Sequence, residues 1–148
     1  MRYINETGIL LIKKWESFQP KTYLCSAGVE TIGYGETDKK IINEYRNKEI
    51  TIGEADILLR KSLNKYCKAV YDLINIYVPL SDNEFAALVS FSYNLGIYSL
   101  KVSTLRKVIL RYEYDEAPTQ FRRWVYAKGK KLRGLVNRRN DEVRLWSL

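Results

Sequence analysis

The stretch Thr51-Ile-Gly-Glu54 is a capping box: a hydroxyl that accepts from first-turn amides, followed three residues on by a carboxylate that reaches back. Ala55, Leu58, Leu59, Leu63, Tyr66, Val70 and Leu73 then recur at helical spacing. The pattern predicts one long helix over 53–77, and Pro79 ends it. A helix of that length divides the chain into an N-terminal and a C-terminal part, and the two differ in character.

The N-terminal part is mixed. Ile4, Leu11 and Trp15, with Ile12 beside them, place a helix over 4–15. Residues 21–35 mix Tyr, Val, Thr and Ile with Gly28, Gly33 and Gly35, which reads as a hairpin or meander with tight turns. Residues 36–50 read as polar and irregular, with one apolar pair, Ile41-Ile42. The C-terminal part is helical. Ser81-Asp-Asn-Glu84 is a second capping box and opens a helix to Leu95, with Gly96 as its stop. Ser103 or Thr104 caps a helix to about Tyr112, and Pro118 starts a short one through Trp124. The segment 129–136, which begins after Lys128, reads as a basic turn, and a last helix runs from about Leu135 to Trp146. The expected class is α+β in a single domain over 1–148. A small lobe with a short antiparallel sheet (1–52) and a larger helical lobe (78–148) are joined by the helix at 53–77. A cleft between two lobes is a common ligand site. No internal repeat or low-complexity linker interrupts the chain.

Composition removes several chemistries. There is no His, so Ser-His-Asp and Cys-His catalysis and most zinc sites are excluded, and no metal or cofactor is expected. The formal charge is +8, and all of it lies in residues 101–148, which hold 13 Lys/Arg against 5 Asp/Glu. A solvated basic face or an anionic partner (nucleic acid, a bacterial envelope, an acidic polymer) both fit that excess. Two cysteines, Cys25 and Cys67, do not make a disulfide framework. The apolar run at Gly8–Ile12 is too short for a signal peptide or a membrane span.

Three residues in WESFQPKTYLCSAGVETIGYGET (15–37) bear on chemistry. Glu16 follows Trp15, with Phe18 nearby, and aromatic surroundings favour the protonated carboxyl that a general acid needs. Taken singly, Glu16 also reads as an exposed last-turn residue, Cys25 as a small apolar residue and Thr31 as a strand residue. Together, the order Glu, eight residues, Cys, five residues, Thr resembles the catalytic signature of the phage-type lysozymes, the endolysins of glycoside hydrolase family 24. In that family the middle residue is Asp or Cys. TIGYG at 31–35 resembles the family's glycine-rich hairpin, FAALVSFSYNLG at 85–96 is similar to its central helix, and FRRWVYAKGKKLRGLVNRRNDE at 121–142 resembles its C-terminal segment.

The resemblance implies a muramidase that cuts the β-1,4 bond between N-acetylmuramic acid and N-acetylglucosamine in peptidoglycan. It implies that Glu16 is the general acid, that Thr31 positions a water on the opposite sugar face, and that Cys25 stands near that water where Asp is usual. A thiol serves as a base only when ionised, so inversion with Cys25 and Thr31 jointly orienting water is favoured over a covalent thioglycoside. Thr37, Tyr93 and Thr104 carry over as substrate contacts, against plainer roles as a turn residue, a core residue and a helix cap.

Two positions depart from the family. Its usual YGHT reads Tyr34-Gly35-Glu36-Thr37 here, and Ser62 stands where Asp is common. The His–Asp ion pair that joins the lobes in relatives therefore cannot form. Glu36 is left to bond the Ser62 hydroxyl or to pair with Arg60 or Lys61. Cys67 falls on the apolar stripe and reads as core. The resemblance also implies a monomer that acts on the wall, is drawn to the anionic envelope through its basic last third, and stays in the host cytoplasm until a separate holin-type lesion frees it. The competing readings are a catalytically inactive wall-binding module and a basic nucleic-acid-binding module.

Overall fold

Four helices in this protein start where a hydroxyl or carboxylate takes up a first-turn amide, at Asp38, Thr51, Ser81 and Ser103. The computed structural model describes residues 1–148. Its elements run α1 (Glu6–Glu16), β1 (Gln19–Leu24), β2 (Glu30–Gly33), α2 (Lys39–Glu44), α3 (Ile52–Val70), α4 (Asp82–Leu95), α5 (Ile97–Val102), α6 (Thr104–Leu110), α7 (Ala117–Phe121), β3 (Tyr126–Ala127), β4 (Lys130–Lys131) and α8 (Arg133–Trp146). This is the expected α+β class. Both boxes close: Thr51 Oγ1 accepts from the Glu54 amide at 3.1 Å while Glu54 accepts from the Thr51 amide at 3.0 Å. Ser81 and Glu84 make the same exchange at 3.0 and 2.7 Å. Ser103, not Thr104, caps α6, accepting from the Arg106 amide at 3.0 Å.

The chain divides into two compact units, Ile12–Ser62 and Met1–Leu11 with Leu63–Leu148, so the divisions fall inside α1 and α3. In the first unit, β1 and β2 pair antiparallel, with Tyr23 opposite Thr31 and Leu24 opposite Glu30. Ile32 from β2 joins Ile42, Tyr45, Ile50 and Ala55 in a buried cluster, and Phe18, Tyr34, Ile41 and Leu58 pack against it. Asp56 on α3 accepts from Arg60 at 2.9 Å and from Lys13 at the end of α1. These two cations hold the Asp56 carboxyl below its usual range. Ser62 Oγ donates to Glu36 at 2.9 Å, so of the three partners open to Glu36 the structure shows the hydroxyl.

Two expectations need correcting. The segment 36–50 is not irregular throughout: Asp38 accepts from the Lys40 amide and starts α2. The long helix does not stay α to residue 77. It turns π over Tyr71–Asn75, where the Ile76 amide reaches back to the Tyr71 carbonyl. The Leu73 carbonyl in that turn accepts instead from Arg106 Nε at 2.9 Å, a tertiary donor that the stripe does not encode. Gly96 does end α4, but α5 follows at once.

In the second unit, α4 is buried on every side from Phe85 to Ser92, as a central helix must be. Phe91 meets Phe121 and Trp124 edge to face, at 5.7 and 5.5 Å. Among these rings lies a fully buried charge cluster. Glu142 on α8 accepts from Ser90 Oγ at 2.6 Å, and its other oxygen lies 2.7 Å from Arg139 Nε. Arg138 approaches the same carboxylate at 3.5 Å. Arg139 also donates to Asn94 at 2.7 Å and to the Trp124 carbonyl at 3.3 Å.

Removing Glu142 leaves two buried guanidinium groups without their counter-charge. Glu142→Ala is therefore expected to cost about 3–5 kcal/mol, measured by urea unfolding. Ser81→Ala, which removes only a cap, is expected to cost about 1 kcal/mol. Equal losses from the two would contradict the account of the cluster.

Candidate active site

Glu16 is the last residue of α1, and the chain leaves the helix through Ser17, whose φ is 56°. Helix and strand thus meet within three residues. Phe18 is fastened beside Tyr34 at a ring distance of 5.6 Å, which fixes the exit. Glu16 is half-buried at this corner.

Cys25 follows the end of β1 in a tight turn. Its carbonyl accepts from the Gly28 amide at 2.8 Å, and its amide donates to the Val29 carbonyl at 3.0 Å. Gly28 takes φ 76°, a conformation that only glycine adopts without cost. The turn aims the amides of Val29 and Ala27 at the Cys25 sulfur, with the Thr31 hydroxyl beside them. These donors favour the thiolate and hold the thiol below its ordinary pKa.

Thr31 lies on β2 with 3% of its surface exposed. Its Oγ1 donates to the Val29 carbonyl at 2.9 Å. A hydroxyl has one proton, so when it points at Val29 its lone pairs are left to accept from another donor.

The register adds a residue that the sequence reading passed over. Tyr23 stands directly opposite Thr31, so the two share a face of the β1–β2 ribbon. Burial raises the Tyr23 phenol, and the charges of Cys25 and Glu16 raise it further. Glu16 and Cys25 are therefore electrostatic neighbours of the same ring. Nothing in the sequence separates Tyr23 from the other tyrosines among its 12. Only the strand pairing does.

The structure brings Glu16, Cys25 and Thr31 together in the Ile12–Ser62 unit. Thr37 is in the same unit, where it lines a cavity of about 450 Å³ with Gly28, Val29, Lys39, Asn43 and Arg46. Tyr93 and Thr104 belong to the other unit. Tyr93 is half-buried on α4, edge to face with Tyr66 at 5.2 Å. Thr104 lines a cavity of about 280 Å³ with Ser103, Gln120, Arg123 and Trp124. The last three of those escaped sequence reasoning, because they are spread over a helix and its exit with no spacing to mark them.

Both cysteines are free. Cys67 is buried, and burial raises its thiol. No group of three His, Cys, Asp or Glu side chains is placed to hold a metal ion. No helix is long and apolar enough to cross a membrane.

A sequence model of the family described as phage lysozyme matches residues 13–142. The chain is 36% identical over 150 residues to the endolysin of Acyrthosiphon pisum secondary endosymbiont phage 1, covering 97% of each chain. The endolysin from Escherichia coli O157:H7 phage FAHEc1 superposes with a TM-score of 0.86 at 34% identity, over 99% of this chain and 93% of that one. The muramidase domain of SpmX from Asticaccaulis excentricus gives 0.87 at 30% identity, over 99% of both. The chain spans about half the length, 53% and 55%, of two Bacillus phage endolysins that it also matches.

If the turn amides act on the sulfur as described, iodoacetamide should alkylate Cys25 with a pH midpoint below that of a cysteine in the urea-unfolded chain. Thr31→Val should move the midpoint up. Cys67 should label only on unfolding. A Cys25 midpoint at or above the unfolded value would contradict the geometry.

Proposed function

This chain belongs to the phage lysozyme family, and from that premise we propose that it hydrolyses the β-1,4 bond between N-acetylmuramic acid and N-acetylglucosamine in peptidoglycan, with inversion at the anomeric carbon. Glu16 donates a proton to the leaving glycosidic oxygen. Cys25 and Thr31 hold the attacking water on the opposite face of the ring. The observation that carries this reading is the Cys25 turn, closed by its two backbone hydrogen bonds, which holds the thiol among the Val29 and Ala27 amides and next to the Thr31 hydroxyl.

Several physical points favour water over a covalent thioglycoside. A thiolate that accepts from the Val29 and Ala27 amides has two of its three lone pairs on fixed donors, which blunts it toward carbon. It still accepts a proton from water as a general base. Thr31 has one proton, given to the Val29 carbonyl or to the thiolate, and in either case its lone pairs can accept the second hydrogen of the same water. A retaining route needs the sulfur to close on carbon, and these donors hold it back in the turn.

The substrate contacts belong to the same proposal. Thr37 lies at a cavity edge, Tyr93 offers a half-buried ring, and Thr104 stands with Gln120 at the mouth of a second cavity. Attraction to the anionic envelope through the basic last third is part of it, as are action as a monomer and release from the host cytoplasm through a separate membrane lesion.

Clearing of chloroform-treated Gram-negative cells tests the assignment. Glu16→Gln should lose about 10²–10⁴-fold in rate, the usual contribution of general acid–base catalysis. Wild type clearing no faster than Glu16→Gln would leave an inactive wall-binding module. Product NMR should show the inverted anomer, and a retained anomer would overturn the water-holding role of Cys25. The pH–rate profile gives a further check. Activity should fall as the medium is acidified through the thiol's pKa, because protonation removes the base. Cys25→Asp should move that acidic limb to lower pH, since a carboxyl ionises near 3.9 where a free thiol ionises near 8.5. An unmoved limb would show that Cys25 need not ionise.

A further inference from the structure

We propose that the β3–β4 ribbon and the first turn of α8 form a docking site for an anionic phospholipid surface. The proposal rests on the envelope attraction put forward above, narrows it to one place and one partner, and is independent of the chemistry at Glu16.

Between Glu116 and Asp141 the chain has eight Lys/Arg and no acid. Four of the eight are already engaged. Arg138 and Arg139 are buried against Glu142, Arg122 donates to Asn140 at 3.2 Å, and Arg123 donates to Gln120 at 3.1 Å. The other four, Lys128, Lys130, Lys131 and Arg133, fall within six residues and are all exposed. None of them forms an ion pair or a side-chain hydrogen bond, so their charge faces solvent uncompensated.

The ribbon holds them in a defined arrangement. Lys128 and Gly129 take φ 51° and 77° at the centre of its turn, the left-handed pair that a two-residue hairpin requires. Val125 is buried and Tyr126 beside it is 62% exposed, as alternation along a strand demands. Tyr126 pairs with Lys131 across the ribbon, so ring and cation share the outer face. Lys131 and Arg133, with Val136 and Asn137 of α8, line a concavity of about 340 Å³. Two cations and an amide above an aliphatic floor suit a phosphate group joined to an apolar body. Leu132, between the two cations, is 44% exposed.

This mixture selects lipid over nucleic acid. A tyrosine ring and a leucine among lysines can enter the headgroup region, where aromatic and aliphatic groups leave water and cations meet phosphate. A polyanion in solution would use the charges alone and leave Leu132 and Val136 without a partner.

The test uses the full chain and sedimentation with vesicles of phosphatidylglycerol and phosphatidylcholine in equal parts, beside vesicles of phosphatidylcholine alone. Wild type should bind the anionic vesicles, less so as salt rises, and not the neutral ones. Lys131→Gln with Arg133→Gln should lower the partition coefficient about 25-fold, since each cation near an anionic surface contributes about fivefold. Lys39→Gln with Lys40→Gln, which removes two equally exposed cations on α2, should lose far less. Tyr126→Ser should weaken vesicle binding several-fold and leave binding to soluble polyphosphate unchanged. The Lys131/Arg133 pair should keep wild-type hydrolysis of soluble peptidoglycan fragments. Equal losses from the two charge pairs, or none from either, would overturn the site. So would duplex DNA displacing the protein from vesicles at matched phosphate with Tyr126→Ser behaving as wild type, which would assign the ribbon to nucleic acid. A fall in hydrolysis of soluble fragments would assign Lys131 and Arg133 to substrate instead.

Discussion

A carboxylate with no access to water sets the terms for the helical unit. Glu142 is fully buried, so every donor it needs must come from protein. Ser90 supplies one from α4, and Arg138 and Arg139 bring two charges from its own helix. Arg139 then has donors to spare and spends them on Asn94 and the Trp124 carbonyl. The cluster therefore fixes α4, α8 and the segment after α7 against one another in one arrangement, because any other leaves a buried charge unmatched. The aromatic contacts of Phe91 would tolerate small slips, whereas the charges would not. This buried cluster also takes two cations out of the basic third, while the four of the ribbon and the first turn of α8 stay exposed and unpaired.

In the other unit the controlling feature is a turn of five residues. Gly28 lets the chain reverse tightly enough to point two amides at the sulfur of Cys25. Backbone donors are rigid, so they tune a thiol without a neighbouring cation. That matters in a chain without His, where the usual way of activating a cysteine is missing. The strand pairing then sets Thr31 and Tyr23 beside it. Acid, thiol and hydroxyl are held by three different devices: a helix end, a turn and a strand.

Much of this was legible in advance where the signal is local. The boxes at Thr51 and Ser81 mark helix starts because their bonds span three residues. Pro118 opens α7 for the same kind of reason. Legibility failed where a distant group intervenes or where no period exists. α2 has six residues and one buried side chain, too few to show a stripe, and only the Asp38 cap announces it. The π turn at Tyr71–Asn75 is stabilised by Arg106, which lies 33 positions from Leu73. Glu36 bonds the Ser62 hydroxyl across 26 positions, a pairing that no local pattern selects among its candidates.

Sequence by itself determined the α+β class, the two capped helices, the spacing of Glu16, Cys25 and Thr31, and the placement of all net charge in the last third. These come from contacts a few residues apart or from composition, which do not depend on how the chain folds back. Tertiary structure alone decided that Tyr23 belongs with Thr31 and Cys25, that Arg138 and Arg139 are structural while Lys131 and Arg133 are free, and that Gln120 and Arg123 share a cavity with Thr104. Each of these is set by strand register or by helix packing across many residues, where geometry, and not order along the chain, chooses the neighbours.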